Sequence, residues 1–192
     1  AYILAVVLGI VVGVVAAVNH GKWVDSALMT ISVFGISAPA FWIAIILQIV
    51  ICLKFNLLPL SGIDSFKSFI LPGIALGTRY AASIARITRT SMLDVLSQDY
   101  IRTAEAKGLK GWVVTIKHAL RNALIPIITI AGSDLGNILT GSVLVESVFS
   151  IPGIGKMLVD SINTRDLPIV QGGVMYIAVI CVIMYLVVDL LY

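Results

Sequence analysis

The histidines and cysteines of this chain show no spacing typical of a catalytic or metal-binding site. His20 and His118 have no carboxylate or cysteine at the spacing that metal ligands need. Cys52 and Cys181 both lie inside apolar runs, where a thiol behaves as a small hydrophobic side chain. The sequence therefore predicts no catalytic residue, no metal site and no disulfide framework.

A phosphate-binding loop is also not predicted. Gly155-Lys156 matches only the end of the motif, because Ser150 stands five residues before Gly155 and Met157 takes the place of the required Ser or Thr. We expect this chain to bind no ATP and to hold no cofactor of its own.

Two ionisable residues do lie within long apolar stretches. Asp134 lies among small residues in Gly132-Ser133-Asp134-Leu135-Gly136, and Arg79 interrupts residues 69–87. A charge at membrane depth costs on the order of 3 kcal/mol and is a functional candidate by default. Either Asp134 lines a pathway through the membrane, or it pairs with Arg79 between helices.

The composition indicates a bilayer as the solvent. Of the 192 residues, 59% are hydrophobic and 12% charged, with a mean hydropathy of +1.07, more apolar surface than a soluble domain of this size can bury. The net charge is +3 and the pI about 9.0. The basic residues lie between apolar runs, which is typical of a membrane margin and not of a nucleic-acid partner.

Long apolar segments predict an all-α polytopic transmembrane helical bundle in one domain over residues 1–192. About 20 apolar residues in a helix cross a bilayer. Pro39 predicts a kink or interruption in the second of the predicted spans. Five spans are visible, at about residues 1–18, 26–53, 69–87, 122–145 and 167–188.

Basic residues predict the orientation. The link between the third and fourth spans, together with the first link, holds eight of them, against four on the other side, which places the long basic loop in the cytoplasm. The visible N-terminus is then outside and Tyr192 inside. Because Ala1 enters an apolar run at once, we expect a fragment lacking its first helix, with six spans in the full protein.

The cytoplasmic loop, residues 91–121, differs from the other links because it is long and amphipathic. Leu93, Leu96, Tyr100 and Ala104 recur at helical spacing. Gly108 then predicts a helix stop, and a second amphipathic stretch runs on into the next span. The pattern predicts two short helices around a glycine, either as a docking surface for another protein or as an anchor on lipid headgroups.

Several motifs together resemble the permease subunits of ABC importers. Asp99 to Leu109 (DYIRTAEAKGL) with His118 to Pro126 (HALRNALIP) is similar to their cytoplasmic "EAA" loop, in the branch that handles peptides and nickel (the dipeptide/oligopeptide permease B type). The resemblance covers nearly the whole chain. The other matching segments are Ser32 to Trp42 (SVFGISAPAFW), Thr88 to Leu93 (TRTSML), Glu146 to Gly155 (ESVFSIPGIG) and Arg165 to Gly172 (RDLPIVQG).

The loop departs from the general motif at one position. Aligning the glycine of the motif on Gly108 puts Arg102, Thr103 and Ala104 at the E-A-A positions, and the proline comes late, at Pro126. Glu105 is therefore not the motif's glutamate, and no acidic contact is expected at position 102. The same variation resembles the peptide branch.

The resemblance implies a coupling role for this loop. It would dock in a cleft of a cytosolic ABC ATPase, which binds the ATP and magnesium, and ATP-driven closure of the ATPases would move it. Asp99 and Arg102 would brace the tip as an i,i+3 pair. The residues that the resemblance assigns to the tip are Ala104, Glu105, Ala106, Lys107 and Gly108.

The resemblance further implies a multi-pass subunit of a bacterial or archaeal cytoplasmic membrane, without enzymatic activity. Its partners would be ATPase subunits, a second and different permease subunit, and an extracytoplasmic substrate-binding protein. Peptides are the expected cargo, with nickel or a metal chelate, glutathione or another small solute as alternatives. A secondary transporter is the alternative of another class, although the internal repeats typical of one are absent.

Overall fold

The computed structural model describes residues 2–63 and 65–190, and the side chains in that range except those of residues 137, 139–141 and 189. The described residues form helices and connecting turns, without a strand. The all-helical class expected from the sequence is confirmed. The prediction about Tyr192 lies outside the described residues.

Nine α-helices follow one another in the described chain, with two π-helical segments and one 3-10 turn among them. The π-helical segments are Gln48–Lys54 and Val114–Leu120, and the 3-10 turn is Phe66–Phe69. The α-helices are α1 Tyr2–Val18, α2 Trp23–Ser37, α3 Ala40–Leu47, α4 Ile70–Leu96, α5 Asp99–Ala106, α6 Gly111–Val113, α7 Arg121–Val148, α8 Ile154–Asn163 and α9 Leu167–Leu190.

Two helical runs among the described residues are long and apolar enough to cross a membrane by themselves, Gly111–Gly136 and Leu167–Val188. A third crossing is possible where Trp23–Ser37 and Ala40–Lys54 act together as a broken pair, and Tyr2–Val18 is apolar but shorter. The count of five spans therefore stays a prediction.

Pro39 interrupts the second predicted span, as expected. Helix α2 ends at Ser37, and Pro39 with φ −62° and ψ 138° stands at the N-cap of α3. A proline ring disfavours helical geometry at the residue before it, so the helix stops and begins again.

The chain divides into two compact units. The first, called the loop-bearing unit, contains Ile3–Ser37 and Tyr80–Ala131. Its core combines residues of α1, α4, α5, the second π-helical segment and α7, with partly buried side chains of α1 packed against them. The buried members are Ala17, Ile84, Met92, Ile101, Ala104, Val114, Ala119, Ala123 and Ile127.

Two glycines of α1 allow a close approach to α4 inside the loop-bearing unit. A Cβ on Gly9 would lie 2.7 Å from the carbonyl oxygen of Ala81, and one on Gly13 would lie 2.6 Å from that of Ala85. Real Cβ atoms do not approach a backbone oxygen this closely, so only glycine fits. The small-residue pattern on α1 thus serves helix packing.

The second unit contains Ala38–Arg79 and the chain from Gly132 onward. Ala44, Leu71, Ala75, Val145 and Phe149 are among its buried residues. The side-chain amide of Gln48 donates to the carbonyl oxygens of Leu60 at 2.9 Å and Val148 at 3.0 Å. These bonds join the start of the first π-helical segment to the connection at Leu60 and to the end of α7.

Helix α8 was not predicted, and it lies between the fourth and fifth predicted spans. The carboxylate of Glu146 accepts hydrogen bonds from the backbone N–H groups of Gly155 at 2.9 Å and Lys156 at 3.2 Å, two of the otherwise unpaired donors at the start of α8. A Cβ on Gly153 would collide with this carboxylate. The segment ESVFSIPGIG therefore forms a helix cap supplied from α7.

We expect Glu146→Ala to fray the first turn of α8 at a cost of about 1 kcal/mol, the usual worth of a helix cap. Hydrogen exchange at the Gly155 and Lys156 amides should accelerate. Asp160→Asn, which removes only an exposed ion pair with Lys156 on the same helix, is the matched control. Unchanged exchange at both amides in Glu146→Ala would contradict the cap.

Candidate functional site

The loop between α4 and α7 contains the two short helices expected from its sequence, but the first begins later than predicted. Helix α4 runs to Leu96, and α5 begins only at Asp99, after a turn at Ser97 and Gln98. Leu93 and Leu96 therefore belong to the end of the long helix. The apolar residues recur at helical spacing from Leu93 to Ala104, so their spacing does not indicate the break at Ser97 and Gln98.

The buried face of α5 contains Ala104, as predicted, but Ile101 in place of Tyr100. Ile101 is 1% exposed and Ala104 is 8% exposed, both in the core of the loop-bearing unit, whereas Tyr100 is 43% exposed. The side-chain amide of Asn122 instead donates to the Tyr100 hydroxyl at 2.9 Å. Ile101 is thus an anchor that was not predicted from the sequence.

Gly108 ends α5 in a left-handed turn. Its φ is +77°, its N–H donates to the carbonyl oxygen of Glu105 at 2.8 Å, and the N–H of Leu109 donates to that of Ala104 at 3.4 Å. These paired bonds make a Schellman motif, in which glycine is favoured because a Cβ opposes positive φ. The predicted helix stop at Gly108 is where the structure has it.

The loop has two helical arms, α5 and the segment that begins at Gly111. The second arm continues into α7 without a break. It begins at Gly111, passes through the π-helical segment and enters α7, with helical backbone at Val114 and Arg121. Val114 and Ala119 are buried in the same core as Ile101. Each arm of the loop is therefore anchored in the loop-bearing unit.

The residues assigned to the tip differ in exposure. Glu105, Ala106, Lys107 and Gly108 are exposed, and no atom lies within 4 Å of the position that a Cβ on Gly108 would take. Ala104 is buried instead, so its side chain holds α5 in place and is not available to a partner.

Asp99 and Arg102 do form the expected i,i+3 pair, but a weak one. Their charged atoms are 3.8 Å apart, and the side chains are 98% and 76% exposed. Water competes with an exposed pair of this kind, which contributes less than about 1 kcal/mol.

A partly buried ion pair that was not predicted from the sequence joins the first turn of α2 to α4. Arg89 donates through Nε to Oδ1 of Asp25 at 2.6 Å and through Nη2 to Oδ2 at 2.7 Å. The Asp25 side chain is 4% exposed. The backbone N–H of Gly21 adds a bond at 3.2 Å, and Nδ1 of His20 lies 3.2 Å from Oδ2.

The charge on Asp25 is stabilised by these donors. Asp25 lies in the first turn of α2, and its two bonds to Arg89 offset the loss of water around the buried carboxylate. No sequence spacing reveals this pair, because 64 residues separate its members.

Asp134 and Arg79 are both in the second unit, where Asp134 is half-buried and Arg79 exposed. The ion pairs seen among the described residues do not join them. Their pairing, and a pathway role for Asp134, stay predictions.

Apolar helices that carry an exposed two-armed loop define an integral membrane protein. The model of the family described as "Binding-protein-dependent transport system inner membrane component" matches residues 9–192. The chain belongs to this family, and it is a multi-pass protein of the cytoplasmic membrane. The family resemblance based on the loop motifs is confirmed.

The chain is also similar to glutathione transport system permease proteins named GsiC. It is 46% identical over 188 residues to that of Escherichia coli K12, covering 98% of this chain and 61% of the relative. It is 45% identical over 190 residues to that of Salmonella choleraesuis, covering 99% of this chain and 62% of the relative. The chain thus spans about 61% of the length of these relatives.

One similar solved structure is described as "Crystal structure of an amino acid ABC transporter with histidines". The TM-score is 0.69 at 16% identity, covering 99% of this chain and 86% of that chain. At this identity the likeness establishes the fold alone, an ABC transporter permease fold.

Gly108→Ala should weaken the loop by about 1 kcal/mol, because an L-residue resists the left-handed conformation. Gly111→Ala is the matched control, since it also meets no atom within 4 Å and its φ is not positive. Hydrogen exchange at residues 108 and 109 measures the difference. Equal exchange in the two variants would show that the turn does not require glycine.

Proposed function

We propose that this chain is the membrane-spanning permease subunit of an ATP-driven ABC importer and forms half of its translocation pathway. Cytosolic ATPase subunits hydrolyse the ATP, a second permease subunit supplies the other half, and an extracytoplasmic binding protein delivers the cargo. Membership of a binding-protein-dependent transport family supports this proposal.

The observation that carries the proposal is the shared core of the loop and the long helices. Ile101, Ala104 and Val114 pack in one cluster with Ala17 of α1, Ile84 of α4 and Ile127 of α7. Protein interiors are close-packed and transmit displacement with little compression. A force on the exposed tip would therefore move these helices together.

The exposed surface of the loop suits a protein partner with an acidic rim. From Asp99 to Arg121 it carries five basic residues against two acidic ones. The exposed tip at Ala106 and Gly108 is small and admits close approach of a groove. Charge complementarity of this kind orients an encounter and sets its register.

For the cargo we propose peptides. The relatives' name mentions glutathione, which is a tripeptide, and the loop motif resembles the peptide branch. A binding protein that recognises short peptides would then supply the selectivity.

Ala106→Trp tests docking without disturbing the core, because Ala106 is exposed and a bulky side chain there would obstruct a groove. In the assembled transporter reconstituted in liposomes, we expect ATPase stimulation by loaded binding protein to fall at least tenfold. Ala106→Ser, at the same position, should remain near wild type. Wild-type stimulation in Ala106→Trp would contradict docking at this tip.

Gly108→Pro tests the turn itself. Proline removes the N–H that donates to Glu105 and requires a φ near −65° where the chain has +77°. We expect stimulated ATPase activity and uptake to be lost together, with Gly111→Ala as the control. If both stay at wild-type levels, the coupling role is wrong.

The cargo is tested by uptake into the same liposomes. Labelled reduced glutathione or dialanine should accumulate only with ATP and binding protein, and unlabelled peptide should compete. Accumulation of nickel salts with neither peptide taken up would replace the peptide proposal by the metal alternative.

A further inference from the structure

The ion pair between Asp25 and Arg89, called the joint below, lies two helical turns before the end of α4. Arg89 precedes Leu96, the last residue of that helix, by seven positions, about 10 Å along the axis at 1.5 Å per residue. Beyond Leu96 the chain turns directly into α5. Any displacement of the loop that moves the end of α4 therefore also moves Arg89.

The joint is made by a fork of two short bonds. Nε and Nη2 of Arg89 contact both carboxylate oxygens of Asp25, at 2.6 and 2.7 Å. Two parallel bonds fix orientation as well as distance, which a single contact would not do. The N–H of Gly21 braces the carboxylate from the link itself, so the link between α1 and α2 is held against α4.

Burial of this pair needs an explanation other than stability. Desolvation offsets much of the attraction in a buried ion pair, and well-packed apolar replacements are often as stable. What apolar contacts lack is directional stiffness. Nearby, Gly9 and Gly13 already bring the backbone of α1 against Ala81 and Ala85 of α4, so steric packing alone could supply cohesion.

We propose that Asp25 and Arg89 are positioning residues that transmit displacement of the coupling loop from α4 to the start of α2. This inference rests on the proposed function of the loop as the coupling element. Their role is to make α4 and the start of α2 move together when the loop moves.

The test compares single and paired substitutions in the complete transporter reconstituted in liposomes. The readout is the amount of labelled reduced glutathione (or dialanine, if the wild type imports that probe) taken up per ATP hydrolysed. Asp25→Asn gives Arg89 one acceptor in place of two and turns an NH2 group toward the guanidinium. We expect a fall of about tenfold in this ratio, and a smaller fall in Arg89→Lys, which keeps the charge but loses the fork.

The double variant Asp25→Leu with Arg89→Met separates positioning from stability. It leaves no buried charge unpaired, so the midpoint temperature of thermal unfolding should be higher than in the single variants. If the joint transmits motion, uptake per ATP stays low in spite of that recovery. A ratio that recovers together with the midpoint would overturn the proposal and make the pair purely structural.

Asp160→Asn is the control, because it removes an ion pair of 3.0 Å that lies within one helix. It should leave the ratio unchanged, and a matching fall in this control would overturn the proposal.

Failure of this inference is distinguishable from failure of the proposed function. If Ala106→Trp abolishes ATPase stimulation while Asp25→Asn keeps the wild-type uptake per ATP, only the proposed role of Asp25 and Arg89 is wrong. If the wild type shows no ATP-dependent uptake of either peptide or of nickel, both are wrong.

Discussion

Burial of a few side chains of the loop in the core of the long helices is the constraint on which the other features depend. Ile101 and Ala104 leave water only by packing with Ile84, Met92 and Ile127, and this hydrophobic contact converts a polar link into a rigid extension of the helices. Without it, the exposed tip would be an ordinary flexible loop. With it, the tip has a defined position that a partner can use.

Backbone geometry then decides which residues face outward. The Schellman turn at Gly108 reverses the chain immediately after Ala104 has entered the core, so Glu105 to Lys107 are exposed while their neighbour is buried. The glycine is required by a positive φ and not by crowding, because there is open space around it. Small residues serve two purposes in this chain, since Gly9 and Gly13 are required by crowding.

Much of the fold and part of the site were predictable from periodicity and composition. Apolar segments located the long helices, Pro39 located an interruption, and Gly108 located the turn. Ile101 was missed because α5 is a separate short helix whose face is rotated relative to the end of α4. Helix α8 was missed because its cap, Glu146, lies on another helix and is nine and ten residues away from the two amides that it binds.

The sequence by itself determined that this chain belongs in a bilayer and carries a two-armed basic loop, because span length and amphipathic period are local properties of the chain. Only the tertiary structure decided which loop residues are anchors and which are exposed, and that Asp25 meets Arg89. Such pairings depend on how helices distant in sequence pack together. Their energy comes from exclusion of water and from bond geometry in the folded protein, and neither is encoded in local spacing.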